Sequence, residues 1–235
     1  MTDSSARRHI VITGAAGALG RAVAQHFLDS GARVALLDHS AEHLASAFPG
    51  LDNSQHLLIA GDVTSVDAIA GVATQVLNAF KHVDALIHIA GGFAMGDATH
   101  ALSRAAWDRM MDLNAWSFVV VTQAFVPSMI ERQSGSVIAV TAKSASRGAA
   151  GMSAYIASKS ALQRLVESLA AELAAQGINV NSIAPSVLDT PANRQAMPDA
   201  NPDEWVSTAV AAQTIGFLTS PAAAALHGQH IALDA

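Results

Sequence analysis

The sequence predicts a doubly wound α/β fold in a single domain spanning residues 1–235. Two observations carry this prediction: seven short apolar runs recur along the chain, and most intervals between them hold a longer stretch of helical character. Most of the runs are apolar nearly throughout, which is typical of strands in a parallel sheet that helices cover on both faces. Alternation of strand and helix without a linker or internal repeat indicates one sheet rather than separate domains.

Each element in turn has the length and composition that its type requires. The strand candidates are rich in β-branched and aliphatic residues, and the seven runs are His9–Thr13, Arg33–Asp38, His56–Ala60, Ala85–Ala90, Ser136–Thr141, Ile178–Ala184 and His230–Leu233. The helix candidates lie between them, long enough to cross back over the sheet, at Ala18–Ser30, Ala41–Phe48, Val66–Phe80, Arg104–Arg132, Met152–Gln176 and Pro202–Leu218.

Composition narrows the class of function. Only 14% of the residues are charged, the formal net charge is −6, and no cluster of Lys and Arg is present, so a nucleic-acid surface is not expected. The absence of cysteine excludes disulfides, thiol nucleophiles and cysteine-based metal sites. Chemistry on a small molecule, with oxygen or nitrogen side chains or a bound cofactor, is the best expectation.

Two segments resemble targeting signals. Arg7 and Arg8 precede an apolar run, but no small-residue cleavage site ends that run. Residues 206–233 carry no formal charge, yet Gly216, Pro221 and Gly228 interrupt them, which indicates a helix followed by a strand rather than a membrane span. We therefore expect a cytoplasmic protein with no membrane partner.

A glycine-rich turn connects the first strand to the first helix. It reads Thr13-Gly14-Ala15-Ala16-Gly17-Ala18-Leu19-Gly20, and strand, turn and helix follow in the order that a dinucleotide-binding turn requires. Glycine lets backbone N–H groups approach a pyrophosphate, which the positive end of the helix then stabilises. We expect Gly14, Gly17, Leu19 and Gly20 to contact the cofactor.

The ends of the next strands supply further cofactor candidates. Asp38 ends the second strand, where a carboxylate accepts hydrogen bonds from the adenosine ribose and repels a 2′-phosphate, so NAD is favoured over NADP. The alternative is that Asp38 only caps the following helix, and a protonated His39 would soften the discrimination. Asp62 and Val63 follow the third strand, and Ala90 and Gly91 follow the fourth; each pair is also an ordinary strand-end turn.

Tyr155 and Lys159 form the candidate catalytic pair. Tyr155 is the only tyrosine, and the i, i+4 spacing puts both side chains on one helix face. A phenol with a pKa near 10 exchanges protons poorly at neutral pH, whereas a neighbouring ammonium favours phenolate and lowers that pKa. We therefore expect Lys159 to tune Tyr155 for acid–base work.

These motifs together resemble the short-chain dehydrogenase/reductase family, over nearly the whole chain. The resemblance implies a Rossmann fold, Tyr155 as general acid/base, and Lys159 on the nicotinamide ribose. It also implies that Asn114 anchors a proton-relay water and that Val187 and Thr190 hold the nicotinamide side. Structural alternatives are a polar kink for Asn114 and a turn role for Thr190. The resemblance further suggests a homodimer or homotetramer paired through helices 104–132 and 152–176.

Three departures from the family pattern stand out. Ala18 replaces the middle glycine of the turn, and His88 replaces an asparagine, which puts a structural hydrogen bond near the cofactor in doubt. Ala142, thirteen residues before Tyr155, replaces the serine that polarises a substrate carbonyl. Loss of one such donor lowers turnover about 100- to 1,000-fold. Thr141, Lys143 and Ser144 are the candidates to replace it.

The dihydropteridine reductases of the family look similar at this point. They share an alanine-lysine pair in place of the serine and a segment like Leu188-Asp189-Thr190-Pro191-Ala192-Asn193-Arg194-Gln195-Ala196-Met197-Pro198. We expect the substrate segment to span about residues 186–218. Phe93, Trp205 and Met152 are candidates to line the pocket, although such residues are also typical of core.

The sequence thus supports an NAD(H)-dependent oxidoreductase acting on a small substrate, with a quinonoid dihydropterin as the most specific candidate. A general carbonyl reductase, a 3-oxoacyl reductase or an alcohol dehydrogenase is the enzyme alternative. A nucleotide-binding sensor or scaffold without turnover is the alternative of another class. His39 and His43 have helical ligand spacing but lack a third ligand in frame, so no metal site is expected.

Overall fold

The computed structural model describes residues 7–235 and contains a seven-stranded parallel sheet plus a separate pair of two-residue strands. In chain order the strands are β1 (His9–Thr13), β2 (Arg33–Asp38), β3 (Leu57–Ala60), β4 (Ala85–His88), β5 (Gly135–Val140), β6 (Ile178–Pro185), β7 (Leu188–Asp189), β8 (Val206–Ser207) and β9 (His230–Leu233). The sheet order is β3-β2-β1-β4-β5-β6-β9, and all its pairings are parallel. The predicted fold class is confirmed.

Helices connect the strands and cover both faces of the sheet. They are α1 (Ala18–Asp29), α2 (Ala41–Ala47), α3 (Val66–Phe80), α4 (Arg104–Met111), α5 (Ser117–Arg132), α6 (Ser153–Leu173), α7 (Pro191–Ala196) and α8 (Thr208–Leu218). Several begin with a side-chain cap: the hydroxyls of Ser40, Ser65, Ser103 and Ser207 each accept a hydrogen bond from a first-turn N–H.

Two apolar cores hold the layers together. One lies between the sheet and α3, α5 and α6, where Phe80, Phe118 and Phe125 are nearly inaccessible to solvent. The other lies between the sheet and α1, α2 and α8, centred on Val23, Phe27 and Ile215. Because β1, β2 and β4 are buried on both faces, their apolar runs do not alternate.

The helix predictions differ from the structure in three places. The predicted helix 104–132 is interrupted by one π-helical turn, Asp112–Trp116. The predicted helix 202–218 instead contains a 3₁₀ turn, then β8, and begins only at Thr208, because β8 pairs with β7. The short helix α7 was missed, although Thr190 and Pro191 give its start the cap and N1 residues that favour a helix.

Within residues 7–235, one helical stretch is long and apolar enough to cross a membrane by length and composition, namely Arg104–Arg132. Its most apolar window is 56% buried inside the domain. The helix therefore has the burial of a core element that packs against the sheet.

The sheet order creates a switch point between β1 and β4. From β3 the chain crosses to the other side of β1, so the connections after β1 and after β4 leave in opposite directions. Thr13 and His88 end these two strands and face each other in register. Ligands of open α/β sheets bind at such a crevice outside the carboxyl ends of the strands.

Candidate active site

The glycine turn after β1 is built by close backbone packing. Gly14 has a φ of +67°, and a Cβ there would lie 2.7 Å from the backbone nitrogen of Ala90. A Cβ at Gly20 would overlap the carbonyl oxygen of Gly14. Gly17 is exposed and caps α1 without a side-chain hydrogen bond, and no acidic residue lies in the first turn. The first N–H groups of α1 therefore remain free for an anion.

Ala18 fits this turn without strain. It is the first residue of α1, within the helix, and its backbone φ is not among the positive values of the chain. Alanine is therefore compatible with the position where the family has its middle glycine.

Asp38, at the end of β2, is hydrogen-bonded to the glycine-rich turn. Its buried carboxylate accepts a hydrogen bond from the backbone N–H of Ala16 at 3.0 Å and one from the N–H of His39 at 2.9 Å. The exposed imidazole of His39 lies with its Nδ1 2.8 Å from Asp38 Oδ1. Ser40, not Asp38, caps α2, so the capping alternative for Asp38 was wrong.

The predicted adenine-side residues follow β3. Asp62 is exposed, and its carboxylate accepts hydrogen bonds from the backbone N–H and the hydroxyl of Thr64, which lower the pKa of Asp62. Val63 is half-buried and packs against the core under α3. Both residues lie on the carboxyl-end edge of the sheet, one strand beyond Asp38.

His88 replaces the expected asparagine without loss of hydrogen bonding. Its Nδ1 lies 2.9 Å from the hydroxyl of Thr13, and its Nε2 lies 3.1 Å from the hydroxyl of Ser117. Because Ser117 donates its proton to the carbonyl of Leu113, Nε2 must be the protonated nitrogen and Thr13 donates to Nδ1. Burial lowers the pKa of His88 to about 3, which keeps the ring neutral. His88 therefore makes two hydrogen bonds at this position, and its imidazole joins β1, β4 and α5.

Asn114 lies in the π-helical turn and fixes the loop after β4. Its side-chain oxygen accepts from the N–H of Gly92 at 2.9 Å, while its amide donates to the carbonyl of Gly92 at 3.0 Å and to the hydroxyl of Ser158 at 2.9 Å. A Cβ at Gly91 would lie 2.6 Å from the Asn114 oxygen and 3.2 Å from Lys159 Nζ. Glycine is therefore required where the backbone, Asn114 and Lys159 meet.

Tyr155 and Lys159 lie on one face of α6, as the spacing predicts. Lys159 is buried, its Nζ donates to the carbonyl oxygen of Val140 at 2.8 Å, and burial lowers its pKa to about 8. Burial also raises the pKa of Tyr155 above its ordinary value. The expected lowering of the Tyr155 pKa by Lys159 was wrong in this structure, because burial raises that pKa and Lys159 is not among the causes of the shift. The phenol is a neutral acid that can donate a proton.

Ala142 is buried directly after β5, and its three candidate substitutes differ in orientation. The hydroxyl of Thr141 is buried and donates to the carbonyl of Ile183 at 3.0 Å. The ammonium of Lys143 pairs with Asp234 at 2.6 Å. Among the hydrogen bonds of residues 7–235, Ser144 has no side-chain bond and is the candidate whose hydroxyl remains uncommitted.

The remaining substrate-side candidates are distributed over several elements. Phe93 is 60% exposed and meets Tyr155 edge-on, with ring centroids 4.9 Å apart. Met152 immediately precedes α6, whereas Trp205 is buried beside β8. Thr190 caps α7 by accepting a hydrogen bond from Asn193, which fits its turn alternative. The carbonyl of Val187 accepts from Val206 at 2.8 Å and joins β7 to β8.

Sequence reasoning missed three polar residues of this site. Ser158 links Asn114 to the carbonyl of Tyr155, to which its hydroxyl donates at 2.8 Å. Thr13 and Ser117 hold His88. Ser158 lies three residues after Tyr155, between the catalytic pair, and that position was the available signal.

A dinucleotide-type glycine turn, an acidic residue at the end of β2 and a Tyr–Lys pair beside the switch point together define a nicotinamide-dependent oxidoreductase class. The comparisons with known proteins agree. The family model described as "short chain dehydrogenase" matches residues 8–201. The chain belongs to the short-chain dehydrogenase/reductase family.

Curated relatives cover most of the chain. It is 36% identical over 189 residues to dehydrogenase/reductase SDR family member 7B of Bos taurus, which covers 77% of this chain and 58% of that protein. It is 34% identical over 215 residues to dehydrogenase/reductase SDR family member 6 of Danio rerio, and the match covers 89% of this chain and 83% of that protein. It is 30% identical over 243 residues to the 3-oxoacyl-[acyl-carrier-protein] reductase FabG of Thermotoga maritima, covering 95% of each.

Solved structures share the fold. The crystal structure of gox2181 has a TM-score of 0.90 at 24% identity and covers 97% of this chain and 94% of that one. The 3-ketoacyl-(acyl-carrier-protein) reductase of Brucella melitensis, complexed with NADH, has a TM-score of 0.87 at 22% identity, with 97% and 96% covered. An NAD+-bound xylitol dehydrogenase has a TM-score of 0.88 at 22% identity, with 97% of each chain covered. At these identities the likeness shows the fold alone.

Proposed function

We propose that this chain is an NADH-dependent reductase of a small substrate, with Tyr155 as the proton donor. The observation that carries the proposal is the position of Tyr155 as a neutral phenol one helical turn from the buried Lys159, beside the switch point of the sheet. A bound nicotinamide cofactor would supply the hydride. The proton would then come from the hydroxyl of Tyr155, because a phenol whose pKa is raised by burial is protonated at neutral pH and has a proton to give.

The described residues fit a dinucleotide. The backbone cradle at Gly14 and the uncapped first turn of α1 would hold the pyrophosphate. Lys159 would hold the nicotinamide ribose from its position on the Val140 carbonyl, and Asn114 would keep the loop at Gly92 in place. Leu19, Ala90, Val187 and Thr190 complete the proposed contacts.

The preference for NADH rests on Asp38. Its carboxylate is buried against the turn and carries a negative charge where a 2′-phosphate would approach. His39 is the one adjacent group that could offset this charge, since its imidazole lies against Asp38 Oδ1. We therefore propose that NADPH binds more weakly than NADH at neutral pH.

The substrate we propose needs little polarisation of a carbonyl. Ala142 offers no hydroxyl, and the hydroxyl of Thr141 donates to Ile183. Lys143 pairs with Asp234, so Ser144 is, within residues 7–235, the one of the three candidates with an uncommitted side chain. A quinonoid dihydropterin fits this condition, and the segment 188–198 is similar to that of dihydropteridine reductases. The exposed ring of Phe93 against Tyr155 provides an apolar wall for a flat substrate.

A carbonyl or 3-oxoacyl reductase is the second candidate, favoured by the similarity over 95% of the chain to the reductase of Thermotoga maritima. In that case Ser144 would have to supply the missing hydrogen bond. A sensor that binds NADH without turnover would be favoured only if no substrate oxidises NADH.

We also propose a cytoplasmic homodimer or homotetramer. Trp107 on α4, Trp116 in the π turn and Ile130 on α5 are each more than a third exposed on one continuous helical stretch. Large apolar side chains exposed along a helix are typical of a subunit contact. Sedimentation of the purified chain would test this, and a monomer at micromolar concentration would contradict it.

The test of function is oxidation of NADH and NADPH by the purified chain with a panel of quinonoid dihydropterin, 3-oxoacyl thioesters and simple ketones. The proposal expects turnover with NADH on dihydropterin and slower turnover on ketones. NADH binding without oxidation by any member of the panel would favour the sensor, and faster turnover on ketones would favour the carbonyl reductase.

A further inference from the structure

A cluster of possible metal ligands lies at the amino-end edge of the sheet, opposite the candidate active site. His9 begins β1, and His82 and Asp84 lie in the short connection between α3 and β4. One ring nitrogen of each histidine and one carboxylate oxygen of Asp84 lie within 4.8 Å of one another. His82 Nε2 and Asp84 Oδ2 are 3.4 Å apart, which is close to the ligand separation of a tetrahedral zinc site.

Within the described residues, one of the two ring nitrogens of His9 lacks a hydrogen bond. Its Nδ1 is inaccessible to solvent and has no hydrogen-bond partner among residues 7–235. Buried polar atoms almost always have a partner, so an atom without one invites a ligand.

Asp84 is already oriented for coordination. Its Oδ1 accepts a hydrogen bond from Arg132 at 3.2 Å, and its Oδ2, on the side of His82, accepts one from the backbone N–H of His9 at 2.8 Å. Metal-binding carboxylates are commonly held in this way by groups that do not touch the metal. The backbone N–H of Asp84 in turn donates to the carbonyl of His9 at 2.8 Å, so the chain segments that carry the cluster are fixed.

The ligand types, rather than the surrounding charge, determine which divalent ion suits the cluster. Arg132 forms an ion pair with Asp84. The guanidinium of Arg33 packs over the ring of Phe80 and adds positive charge near His9. A hard cation such as Ca²⁺ or Mg²⁺ needs several oxygen ligands, and this cluster offers one carboxylate. Two imidazoles and one carboxylate are instead a ligand set that suits Zn²⁺, Ni²⁺ or Cu²⁺.

We propose that His9, His82 and Asp84 bind one divalent transition-metal ion, with Zn²⁺ as the representative. The site joins the beginning of β1 to the connection before β4 and stabilises the amino-end edge of the sheet. It takes no part in the reaction, because Tyr155 lies at the opposite edge. Sequence spacing did not indicate the site, since His9 lies more than seventy residues before the other two ligands.

The test is a titration of the full chain, without a histidine tag and stripped of metal by a chelator, with ZnCl₂. Calorimetry measures stoichiometry, and a thermal melt measures the change in Tm. We expect one ion per chain and a rise in Tm that saturates with binding, because a ligand of the folded state shifts unfolding. No calorimetric binding at micromolar Zn²⁺ would overturn the proposal.

Two variants make the test specific to the site. His82→Gln removes one ligand. The side chain of His82 is partly exposed and contacts mainly Asp84 and His9 in the described residues, so the variant should fold. It should weaken Zn²⁺ binding at least about tenfold.

The expectation that His39 and His43 lack a third ligand was wrong, because Asp38 lies within 4.8 Å of both and completes a second possible ligand group. The control His39→Gln with His43→Gln alters that second group and should leave binding unchanged. Binding that follows the control pair instead, or that is unchanged in His82→Gln, would contradict the proposal.

Discussion

The cofactor side and the substrate side of the site differ in how completely they are built. On the cofactor side Asp38, His88, Asn114 and Lys159 are buried, and each makes at least one short hydrogen bond to the backbone or to a neighbouring side chain. On the substrate side Phe93 is exposed, and Ala142 supplies no polar group. The residues of the proposed dinucleotide site are thus fixed by burial and hydrogen bonds, whereas the proposed substrate side depends on a few side chains. Substitutions on the two sides should therefore have different consequences.

The largest difference between the two sides is expected from Lys159→Met on the cofactor side. Removal of the buried ammonium leaves the carbonyl of Val140 without its donor and deletes the charge beside Gly91. We expect loss of turnover of about 100-fold or more, together with weaker NADH binding. Steady-state kinetics and fluorescence titration measure the two effects. Lys81→Met, on an exposed residue that ends α3, is the control, and an equal loss there would contradict the explanation.

The substrate side should respond to Ala142→Ser in the opposite direction. A hydroxyl at this position adds the carbonyl donor that the family has, so the rate with ketone or 3-oxoacyl substrates should rise by up to about 100-fold. The rate with dihydropterin should change little. Ala145→Ser, buried in the following 3₁₀ turn, is the matched control. A gain with dihydropterin equal to the gain with ketones would contradict the proposed substrate class.

Asp38→Asn should change cofactor preference rather than rate. The amide oxygen can still accept the hydrogen bond from Ala16, but the negative charge is removed. We expect the ratio of NADPH to NADH Kd to fall by roughly tenfold, as removal of one charge repulsion of about 1.4 kcal/mol predicts. Fluorescence titration with each cofactor measures it. Asp62→Asn is the control, and a similar change there would show that general charge, not Asp38, sets the preference.

The smallest effect on activity is expected from His88→Asn, which should instead alter acid stability. Because the pKa of His88 falls from 6.5 in the unfolded chain to about 3 in the fold, the folded state binds fewer protons. The stability that neutral His88 contributes to the folded state is therefore fully present above pH 6.5, and it is lost as the pH falls from 6.5 towards 3. Urea unfolding at pH 7 and pH 4.5 measures how much the free energy of unfolding decreases in acid. We expect this decrease to be smaller in the variant than in the unmodified chain, by on the order of 1–3 kcal/mol. His100→Asn, on an exposed 3₁₀ turn, should retain the wild-type acid loss.

The sequence predicts an element of this fold well when neighbouring residues in the chain determine that element. The bounds of β1 and β2 were predicted residue for residue, because buried parallel strands give continuous apolar runs that turn residues bound. β7 and β8 were missed, since two-residue strands have no periodicity. The polar-kink alternative for Asn114 agrees with the irregular turn found there, but its π-helical form was missed, because nothing in a helical pattern marks one extra residue per turn.

The same limit applies to the site. Spacing predicted correctly that Tyr155 and Lys159 share a helix face, yet it could not reveal that burial would raise the pKa of Tyr155. Nor could it show that Thr141 turns its hydroxyl towards Ile183. Local sequence predicts which residues share an element, whereas desolvation and side-chain direction depend on packing between elements.

The most direct test of the central claim is Tyr155→Phe, measured as single-turnover oxidation of bound NADH by the best substrate of the panel. The phenylalanine ring keeps the edge-on contact with Phe93 but cannot donate a proton. We predict that NADH binds as tightly as in the unmodified chain while the rate falls by about 100- to 10,000-fold. An unchanged rate in Tyr155→Phe, with NADH still bound, would contradict the proposed mechanism.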